Sequence, residues 1–392
     1  MATSETKGIG PDDREAMDTT KPWNTSDVCS PAQDVDIELQ APANLTANAR
    51  ASSKVSAFKS LGLLDRFLAV WILLAMVVGI LLGNFVPSTG PALQKGRFVG
   101  VSVPIGEQNS SSFVKWLLLM NPISDWLAGH DVPDSVQANW IIAPFLMLGL
   151  AWAFLPDNSA LREGLILVGL ARCIAMVLIW TGLAGGDNEY CAILVAINSI
   201  LQMVLFAPLS ILYLKVISGA DDAVSYPLVA KSVVVFLGIP FGAAIITRFG
   251  LRWLINPQWY DGIFLRYANP WSLIGLLYTI IILFASQGSR VVHQIVSVVR
   301  VAAPLVVYFA IIFFTTLLIC YKLGFGYKLS AVQSFTAASN NFELAIAVAI
   351  ATYGADSDQA LAATVGPLIE VPVLLGLVYV ARMIGSRSGW RD

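Results

Sequence analysis

The sequence predicts an all-α polytopic membrane protein with ten transmembrane helices arranged as two inverted five-helix repeats. Hydrophobic residues make up 56% of the chain and charged residues only 13%, whereas soluble domains are about 45–50% apolar and about 25% charged. The apolar residues fall into long, nearly uncharged runs that approach the roughly 20 residues needed to cross a bilayer. Ten such runs divide into two halves of five, and an odd number per half places the second half upside down relative to the first.

The domain boundaries follow the change in composition along the chain. Residues 1–58 are polar and contain few large apolar residues, which predicts a disordered cytosolic tail. This tail is either an inert leader or a regulatory segment phosphorylated on its Ser and Thr residues. A membrane domain is predicted for 59–385, with a first repeat at about 67–213 and a second at about 228–383. Residues 386–392 are predicted to form a short cytosolic C-terminus.

Each membrane span is predicted to be helical, because lipid offers no partner for unpaired backbone groups. The predicted spans are 67–86, 113–128, 138–156, 161–181, 190–213, 228–247, 270–287, 302–321, 331–353 and 360–383. The second of them is short, polar and interrupted by proline. Lys and Arg favour the cytosolic loops only when this span is counted and the N-terminus is cytosolic, so the charge pattern favours ten spans. The net charge of −2 and the lack of a dense basic patch argue against nucleic-acid binding.

The fourth and ninth spans carry polar clusters at membrane depth. The fourth contains Gly169-Leu-Ala-Arg-Cys-Ile-Ala-Met-Val177, and the ninth contains Ala338-Ser-Asn-Asn-Phe-Glu-Leu-Ala-Ile346. Both clusters are flanked by small residues and occupy the same ordinal position in their halves. Interrupted spans at matching positions are the best sequence indication of a transport site.

Glu343 is the first candidate residue of that site. A carboxylate in the middle of a membrane helix costs about 2.5–3.5 kcal/mol on insertion scales, so it normally faces a cavity or a partner. Such a group is suited to loading and releasing a proton; the alternative is a Glu neutralised by a structural hydrogen bond. Asn340 and Asn341, with Ser339, are expected either to bind the hydroxyls of a polar solute or to satisfy an unwound helix.

Cys173 is the second candidate. A single intramembrane cysteine is usually a small packing residue, but the neighbouring Arg172 favours a thiolate, which is a soft ligand. Arg172 itself lies within a span and needs an internal partner, for which Glu343 and Glu370 are the candidates. Glu370 lies between two proline breaks in the tenth span, Pro367 and Pro372, and is interpreted as a structural counter-ion to Arg172.

Asn198 belongs to a polar strip on the fifth span, together with Ser199 and Gln202. The strip has two equally acceptable explanations, a hydrogen-bonded helix interface or a substrate lining. Cys191 and Cys320, near span ends, are expected to be packing residues.

Several long motifs together resemble the arsenite efflux permeases, the arsenical-resistance family within the bile acid/arsenite/riboflavin transporter superfamily. The resemblance covers residues 58–385 apart from one gap. The motifs are Leu61-Gly-Leu-Leu-Asp-Arg-Phe-Leu, the clusters at 169–178 and 337–349, Leu183-Ala-Gly-Gly-Asp and Val365-Gly-Pro-Leu-Ile-Glu-Val-Pro-Val.

The resemblance implies a ten-helix fold with a panel domain and a core domain, in which the fourth and ninth helices are broken and cross. It also implies export of arsenite, often with antimonite, by proton antiport and without a cofactor. Cys173, as the thiol ligand of arsenite, and Glu343 match the essential pair of the family. The long polar N-terminal tail is similar to that of fungal members, which act at the plasma membrane or occasionally at the vacuolar membrane.

Residues 107–136 depart from the family pattern, because a clean second helix and a basic loop are missing there. Either the lineage rebuilt this helix or the gene model is mis-spliced, and the second explanation is preferred. If the chain is made as written, a non-functional variant is an alternative.

Two other function classes are weighed against this prediction. A sodium-coupled organic-anion transporter uses the same superfold, and fold alone does not settle function; sodium sites need several carboxylates, whereas Glu343 is the only acid in the ninth span. A membrane-embedded cysteine enzyme needs a base near its nucleophile, but His130 and His293 both lie in predicted loops. The sequence therefore predicts a transporter and no catalytic residue.

Overall fold

A computed structural model describes residues 68–86, 97–98, 101–102, 138–174, 176–219, 224–387 and 390. Their regular secondary structure is helical apart from one short antiparallel pair of strands, β1 (Arg97–Phe98) and β2 (Val101–Ser102). The predicted tail, the predicted second span at 113–128 and the whole departure at 107–136 lie outside the described residues.

The helices follow one another with short connections. They are α1 (Leu68–Phe85), α2 (Ala143–Phe154), α3 (Ser159–Leu170), α4 (Met176–Ala184), α5 (Asn188–Ser210), α6 (Tyr226–Val233), α7 (Ile239–Leu254), α8 (Pro257–Trp259), α9 (Leu265–His293), α10 (Ile295–Lys322), α11 (Tyr327–Ala338), α12 (Phe342–Tyr353) and α13 (Asp358–Arg387). Wider π-helical turns precede α2 (Ala138–Ile142), follow α5 (Ile211–Ile217), join α6 to α7 (Val234–Gly238) and join α8 to α9 (Tyr260–Phe264).

Several of these helices have the length and composition of membrane spans. In the described part of the chain, five stretches are long and apolar enough to cross a bilayer: Asn188–Ile217, Tyr226–Leu254, Ile274–His293, Ile295–Lys322 and Asp358–Arg387. Shorter apolar helices occur at Val70–Phe85, Asn139–Phe154 and Phe342–Tyr353. The protein is therefore a multi-pass α-helical membrane protein.

The predicted fourth and ninth spans are each formed by two half-helices. The chain is extended between α3 and α4 at Ala171 and Arg172, and between α11 and α12 at Ser339–Asn341. Asn341 caps the start of α12, because its side-chain oxygen accepts a hydrogen bond from the backbone N–H of Leu344 at 3.1 Å. Both interruptions therefore fall within the polar clusters that the sequence singled out.

α1 packs along α9 more extensively than any other pair of helices in the described chain. Glycines make this close approach possible. A Cβ at Gly79 would stand 2.7 Å from the Cβ of Phe284, and a Cβ at Gly288 would stand 2.8 Å from the carbonyl oxygen of Ile80. Gly83, one turn after Gly79, would collide with the α9 backbone in the same way. Small residues at this spacing let two helix backbones come together in a membrane, where dispersion forces replace the hydrophobic effect.

α13 holds the interrupted segments from one side, because it packs against α3, α4 and α12 as well as α10. Gly164 of α3 lies against the backbone of Gln359 in α13, where any Cβ would overlap the carbonyl oxygen. At the other break, Gly366 of α13 lies directly against the ring of Phe342 at the start of α12. The two glycines bring α13 close to both interrupted segments.

Candidate functional site

The two helix interruptions meet in a short antiparallel backbone bridge between Arg172 and Asn340. The backbone N–H of Asn341 donates to the carbonyl of Ala171 at 3.0 Å, and that of Cys173 donates to the carbonyl of Ser339 at 3.4 Å. Backbone groups that lose their helical partners at a break must find others when no water is near. The two breaks therefore satisfy each other's backbone groups and join two segments that are far apart in the chain.

The bridge also sets the direction of the four half-helices. α4 and α12 begin shortly after it, with Cys173 in the segment that leads into α4 and Glu343 in the first turn of α12. The unpaired N–H groups of a first helical turn carry partial positive charge. Two such turns at one crossing favour an electron-rich group between them, as in other membrane transporters built on discontinuous helices.

A cavity opens beside the crossing, with about 500 Å³ of empty space when its open mouth is included. Its lining combines the two interruptions with apolar residues of α1, α9 and α13. The lining residues are Ile72, Cys173, Ile174, Met176, Leu276, Ile280, Leu283, Phe284, Asn340, Asn341, Phe342, Glu343, Pro367 and Val371. Among the described residues, Cys173 is thus the one thiol and Glu343 the one carboxylate that face it, in a wall that is otherwise mostly apolar.

Asn340 and Asn341 line this cavity with their amide oxygens already engaged. The Asn340 Oδ1 accepts a hydrogen bond from the Tyr308 hydroxyl at 3.4 Å, and the Asn341 Oδ1 accepts the capping bond from Leu344. Both residues are buried, and within the described residues neither amide nitrogen has a hydrogen-bond partner. A buried, unpaired N–H costs about 1–3 kcal/mol. These two amide groups are therefore hydrogen-bond donors that a bound molecule with acceptor oxygens would satisfy.

Arg172 lies behind the bridge, fully buried and away from the cavity lining. Its guanidinium donates to the carbonyls of Gly169 and Ala337 and, at 3.2 Å, to the Tyr308 hydroxyl. No ion pair formed within the described residues includes Arg172. The sequence suggested Glu343 or Glu370 as its partner. The structure instead supplies neutral oxygens at the C-terminal ends of α3 and α11, where the helix dipoles are negative.

Ser339 and Glu370 form a separate buried pair. The Ser339 hydroxyl donates to the Glu370 carboxylate, and neither residue is exposed or lines the cavity. Glu370 therefore ties α13 to the second break, which differs from the expected role of counter-ion to Arg172.

Asn198 is not part of the cavity lining. Its Oδ1 accepts a hydrogen bond at 3.0 Å from the indole N–H of Trp140, and the contact is buried. Of the two explanations that the sequence left open for the polar strip of α5, this contact favours the helix interface. Its neighbour Gln202 does reach the crossing, because its side-chain oxygen accepts from the backbone N–H of Arg172.

Sequence reasoning missed Tyr308, which contacts Arg172, Ala337 and Asn340 from the middle of α10. A signal was present, because a tyrosine inside an apolar membrane helix needs a partner for its hydroxyl. It also missed Gly366, whose lack of a side chain makes room for Phe342 of the cavity wall.

Comparisons with known proteins agree with this architecture. Residues 132–294 match the Sodium Bile acid symporter family. The Arsenical-resistance protein Acr3 of Corynebacterium glutamicum is 44% identical over 340 residues, which cover 83% of this chain and 90% of that protein. The Arsenical-resistance protein Acr3 of Alkaliphilus metalliredigens is 30% identical over 350 residues, 82% of this chain and 93% of the relative. An uncharacterized transporter of Synechocystis sp. is 31% identical over 357 residues, 84% of this chain and 91% of the relative.

Proposed function

This chain belongs to the arsenite efflux permeases, the family of the Arsenical-resistance protein Acr3, and we propose that it exports arsenite from the cytosol in exchange for protons. The family consists of transporters, so the chain is not a membrane-embedded cysteine enzyme. Antimonite, which shares the soft pyramidal chemistry of arsenite, is proposed as a second substrate.

The observation that carries this proposal is the meeting of one thiol, two amide donors and one carboxylate in a single cavity at the helix crossing. Arsenous acid is neutral at physiological pH and has one soft centre surrounded by three hydroxyls. A cysteine sulfur is the soft ligand that suits such a centre. The amides of Asn340 and Asn341 supply donors for hydroxyl oxygens, and Glu343 supplies an acceptor for a hydroxyl proton.

The proposed binding step is an exchange at arsenic. The Cys173 sulfur forms a bond to arsenic while one hydroxyl leaves as water, taking the thiol proton, so no oxidant or reductant is needed. Because Cys173 is the one thiol that the described part of the chain contributes to the cavity, the remaining two hydroxyls stay on arsenic and are held by the asparagines. One sulfur bond instead of three keeps the affinity low enough for the reverse reaction to release arsenous acid on the other side.

Glu343 is the proposed coupling group. A carboxylate that is only half-buried at the cavity can exchange a proton with water entering the cavity, and an intramembrane carboxylate marks a proton or substrate pathway by default. Protonation of Glu343 from outside removes the acceptor for the arsenite hydroxyl. Proton and substrate then compete for one site, which is the minimum requirement for exchange.

The other predicted residues have supporting roles in this proposal. Arg172, Ser339 and Glu370 hold the two interruptions in place from behind, while Asn198 fastens α5 to the π-helical turn that precedes α2. We further propose ten spans in two inverted repeats, a cytosolic N-terminus and location in the plasma membrane, with the vacuolar membrane as the second choice.

The decisive experiment measures arsenite uptake into inside-out membrane vesicles whose lumen, which corresponds to the cell exterior, is more acidic than the medium, so that the proton gradient is directed outward. The intact chain is compared with Cys173→Ser, Glu343→Gln and the matched control Cys191→Ser. Cys191 is a buried cysteine on α5 that does not line the cavity. We expect gradient-driven uptake by the intact chain and by Cys191→Ser, and a loss of at least tenfold in the other two variants. Full uptake by Cys173→Ser would contradict the thiol role, and normal gradient-driven uptake by Glu343→Gln would contradict the coupling role.

A second chain, in which residues 107–136 are replaced by a second helix and basic loop of the family type, tests the departure in that region. Uptake only by the replaced chain would show that the sequence as written is a non-functional variant. Failure of both chains with arsenite, together with sodium-driven uptake of an organic anion such as taurocholate, would favour the alternative of a sodium-coupled organic-anion transporter.

A further inference from the structure

We propose that Tyr308 is a positioning residue that fixes the amide of Asn340 with its N–H groups toward the cavity, and so makes the site selective for a neutral oxyacid. The proposal rests on the proposed function, because it names a residue through which the same cavity recognises its substrate.

Tyr308 is fully buried in α10, and its hydroxyl lies among three polar groups. It is 3.2 Å from Nη1 of Arg172, 3.4 Å from the carbonyl oxygen of Ala337 and 3.4 Å from Oδ1 of Asn340. A tyrosine hydroxyl has one proton to donate and lone pairs with which to accept, whereas a guanidinium only donates. Arg172 therefore donates to the hydroxyl, and the hydroxyl proton is left for one of the two oxygens.

The Asn340 oxygen is the one that depends on this proton. The carbonyl of Ala337 also receives a bond from Arg172, while Tyr308 is the side chain that donates to Asn340 Oδ1 in the described structure. Rotating the amide by half a turn would place its N–H groups against a hydroxyl whose lone pairs already face a guanidinium. Two donors would then face each other in a buried site, at a cost comparable to that of a buried unsatisfied group.

The orientation of Asn340 determines the chemistry of the cavity. With Oδ1 held by Tyr308, the Nδ2 group has no protein partner and belongs to a residue of the cavity wall. The orientation of the Asn341 amide is fixed as well, because its oxygen accepts the capping hydrogen bond from the N–H of Leu344. Two side-chain amides thus offer N–H donors, which suit the hydroxyl oxygens of arsenous acid and repel a metal cation.

The test is the kinetics of arsenite uptake by Tyr308→Phe, which keeps the buried ring and removes only the hydroxyl. Tyr260→Phe is the matched control, because Tyr260 is also a fully buried tyrosine but belongs to a separate hydrophobic cluster and does not line the cavity. We expect Tyr308→Phe to raise KM for arsenite roughly three- to tenfold, the value of one hydrogen bond, with Vmax changed less than twofold. Tyr260→Phe is expected to leave both constants unchanged.

A double-mutant cycle with Asn340→Ala shows whether Tyr308 acts through Asn340. If it does, Tyr308→Phe adds little to the KM of the Asn340→Ala chain, whereas independent roles would make the two effects additive. An unchanged KM in Tyr308→Phe overturns the proposal, as does a fall in Vmax alone or a loss of folded protein from the membrane. Failure of the intact chain to take up arsenite would instead count against the proposed function.

Discussion

The backbone of Arg172 pairs with the backbone of Asn340, and this bridge separates two unlike environments. On one side lie the C-terminal ends of α3 and α11, with the Arg172 guanidinium bonded to their carbonyls. On the other side lie the starts of α4 and α12, with Cys173 and Glu343 facing a cavity. The charge of Arg172 therefore neutralises the negative helix ends, and the positive helix ends remain available to the substrate.

Arg172 is expected to tolerate no neutral replacement. Its fork of donors spans Gly169 and Ala337, which lie on different half-helices, and a single ammonium group does not have that geometry. Hydrogen bonds to a charged group contribute about 1.5–3 kcal/mol each, so Arg172→Gln is expected to abolish transport and Arg172→Lys to reduce it at least tenfold. The control is Arg382→Lys, because Arg382 also donates to a helix-end carbonyl, that of Leu183, but is exposed. Uptake assays with equal amounts of membrane protein test this; normal uptake by Arg172→Gln would disprove it.

Gly366 is expected to be irreplaceable for a different reason. A Cβ at this position would overlap the ring of Phe342, which precedes Glu343 at the cavity. Overpacking of this kind costs about 1–3 kcal/mol, and its relief must displace the start of α12. We expect Gly366→Ala to lower both the melting temperature in detergent and arsenite uptake. Gly376→Ala, on the exposed face of the same helix with no atom within 4 Å of the new Cβ, is expected to leave both unchanged or to raise stability slightly. Equal melting temperatures and equal uptake in the Gly366→Ala and Gly376→Ala proteins would contradict this prediction.

The site residues that the sequence predicted are those whose polarity contrasts with the apolar residues around them in the chain. Cys173, Glu343 and the asparagine pair are polar groups inside apolar runs, and such departures are costly enough to be noticed one by one. The positions of the two interruptions followed from the same residues. These predictions needed only the chain neighbours of each residue.

The parts that could not be predicted depend on contacts between distant segments. The oxygens around Arg172 come from α3, α10 and α11, so no local pattern distinguishes them from an acidic partner. The sequence also does not reveal which apolar residues line the cavity. Ile72 and Leu276 face it, while chemically similar residues such as Leu74 and Ile274 are exposed. In a membrane both surfaces are apolar, so hydropathy does not separate a cavity wall from a lipid-facing side.

One end of the cavity wall is fastened to the core by polar contacts. The face of α9 that lines the cavity at Leu283 continues one turn later with Gln287, whose amide donates to the carbonyl of Ala355 at 2.9 Å. On the same face, Arg290 forms an ion pair of 2.9 Å with Asp358 at the start of α13. In the proposed topology this end is external, and the contacts hold it closed.

Opening that end requires the ion pair between Arg290 and Asp358 to separate. A partly exposed pair contributes about 0.2–1 kcal/mol, so Arg290→Asp is expected to shift the equilibrium toward the outward-open state. The apparent affinity for cytosolic arsenite should then fall up to about fivefold, because the competent state is less populated. The double exchange Arg290→Asp with Asp358→Arg is expected to restore it. The corresponding single and double exchanges at Arg252 and Asp261, an ion pair remote from the cavity, serve as controls. Failure of the double exchange to restore affinity would argue against a gating contact.

Transport by this chain is expected to be independent of sodium, even though residues 132–294 match the Sodium Bile acid symporter family. A sodium ion in a discontinuous-helix transporter is held by oxygens of unwound backbone and side chains. At this crossing the carbonyls of Ala171 and Ser339 are bonded to backbone N–H groups, and the amide oxygens of Asn340 and Asn341 are bonded to Tyr308 and to α12.

The cavity therefore presents amide hydrogens where a sodium site needs oxygens, and Glu343 is the one carboxylate among its described lining residues. Replacing external and internal sodium by choline, at constant pH and ionic strength, is expected to change the initial rate of arsenite uptake by less than about 20%, since removing a genuine coupling ion reduces transport severalfold or more. Dissipating the proton gradient in the same vesicles should abolish accumulation. A sodium-dependent rate would mean that at least one of the two amides turns its oxygen to the cavity during transport. It would also favour the sodium-coupled mechanism over proton exchange.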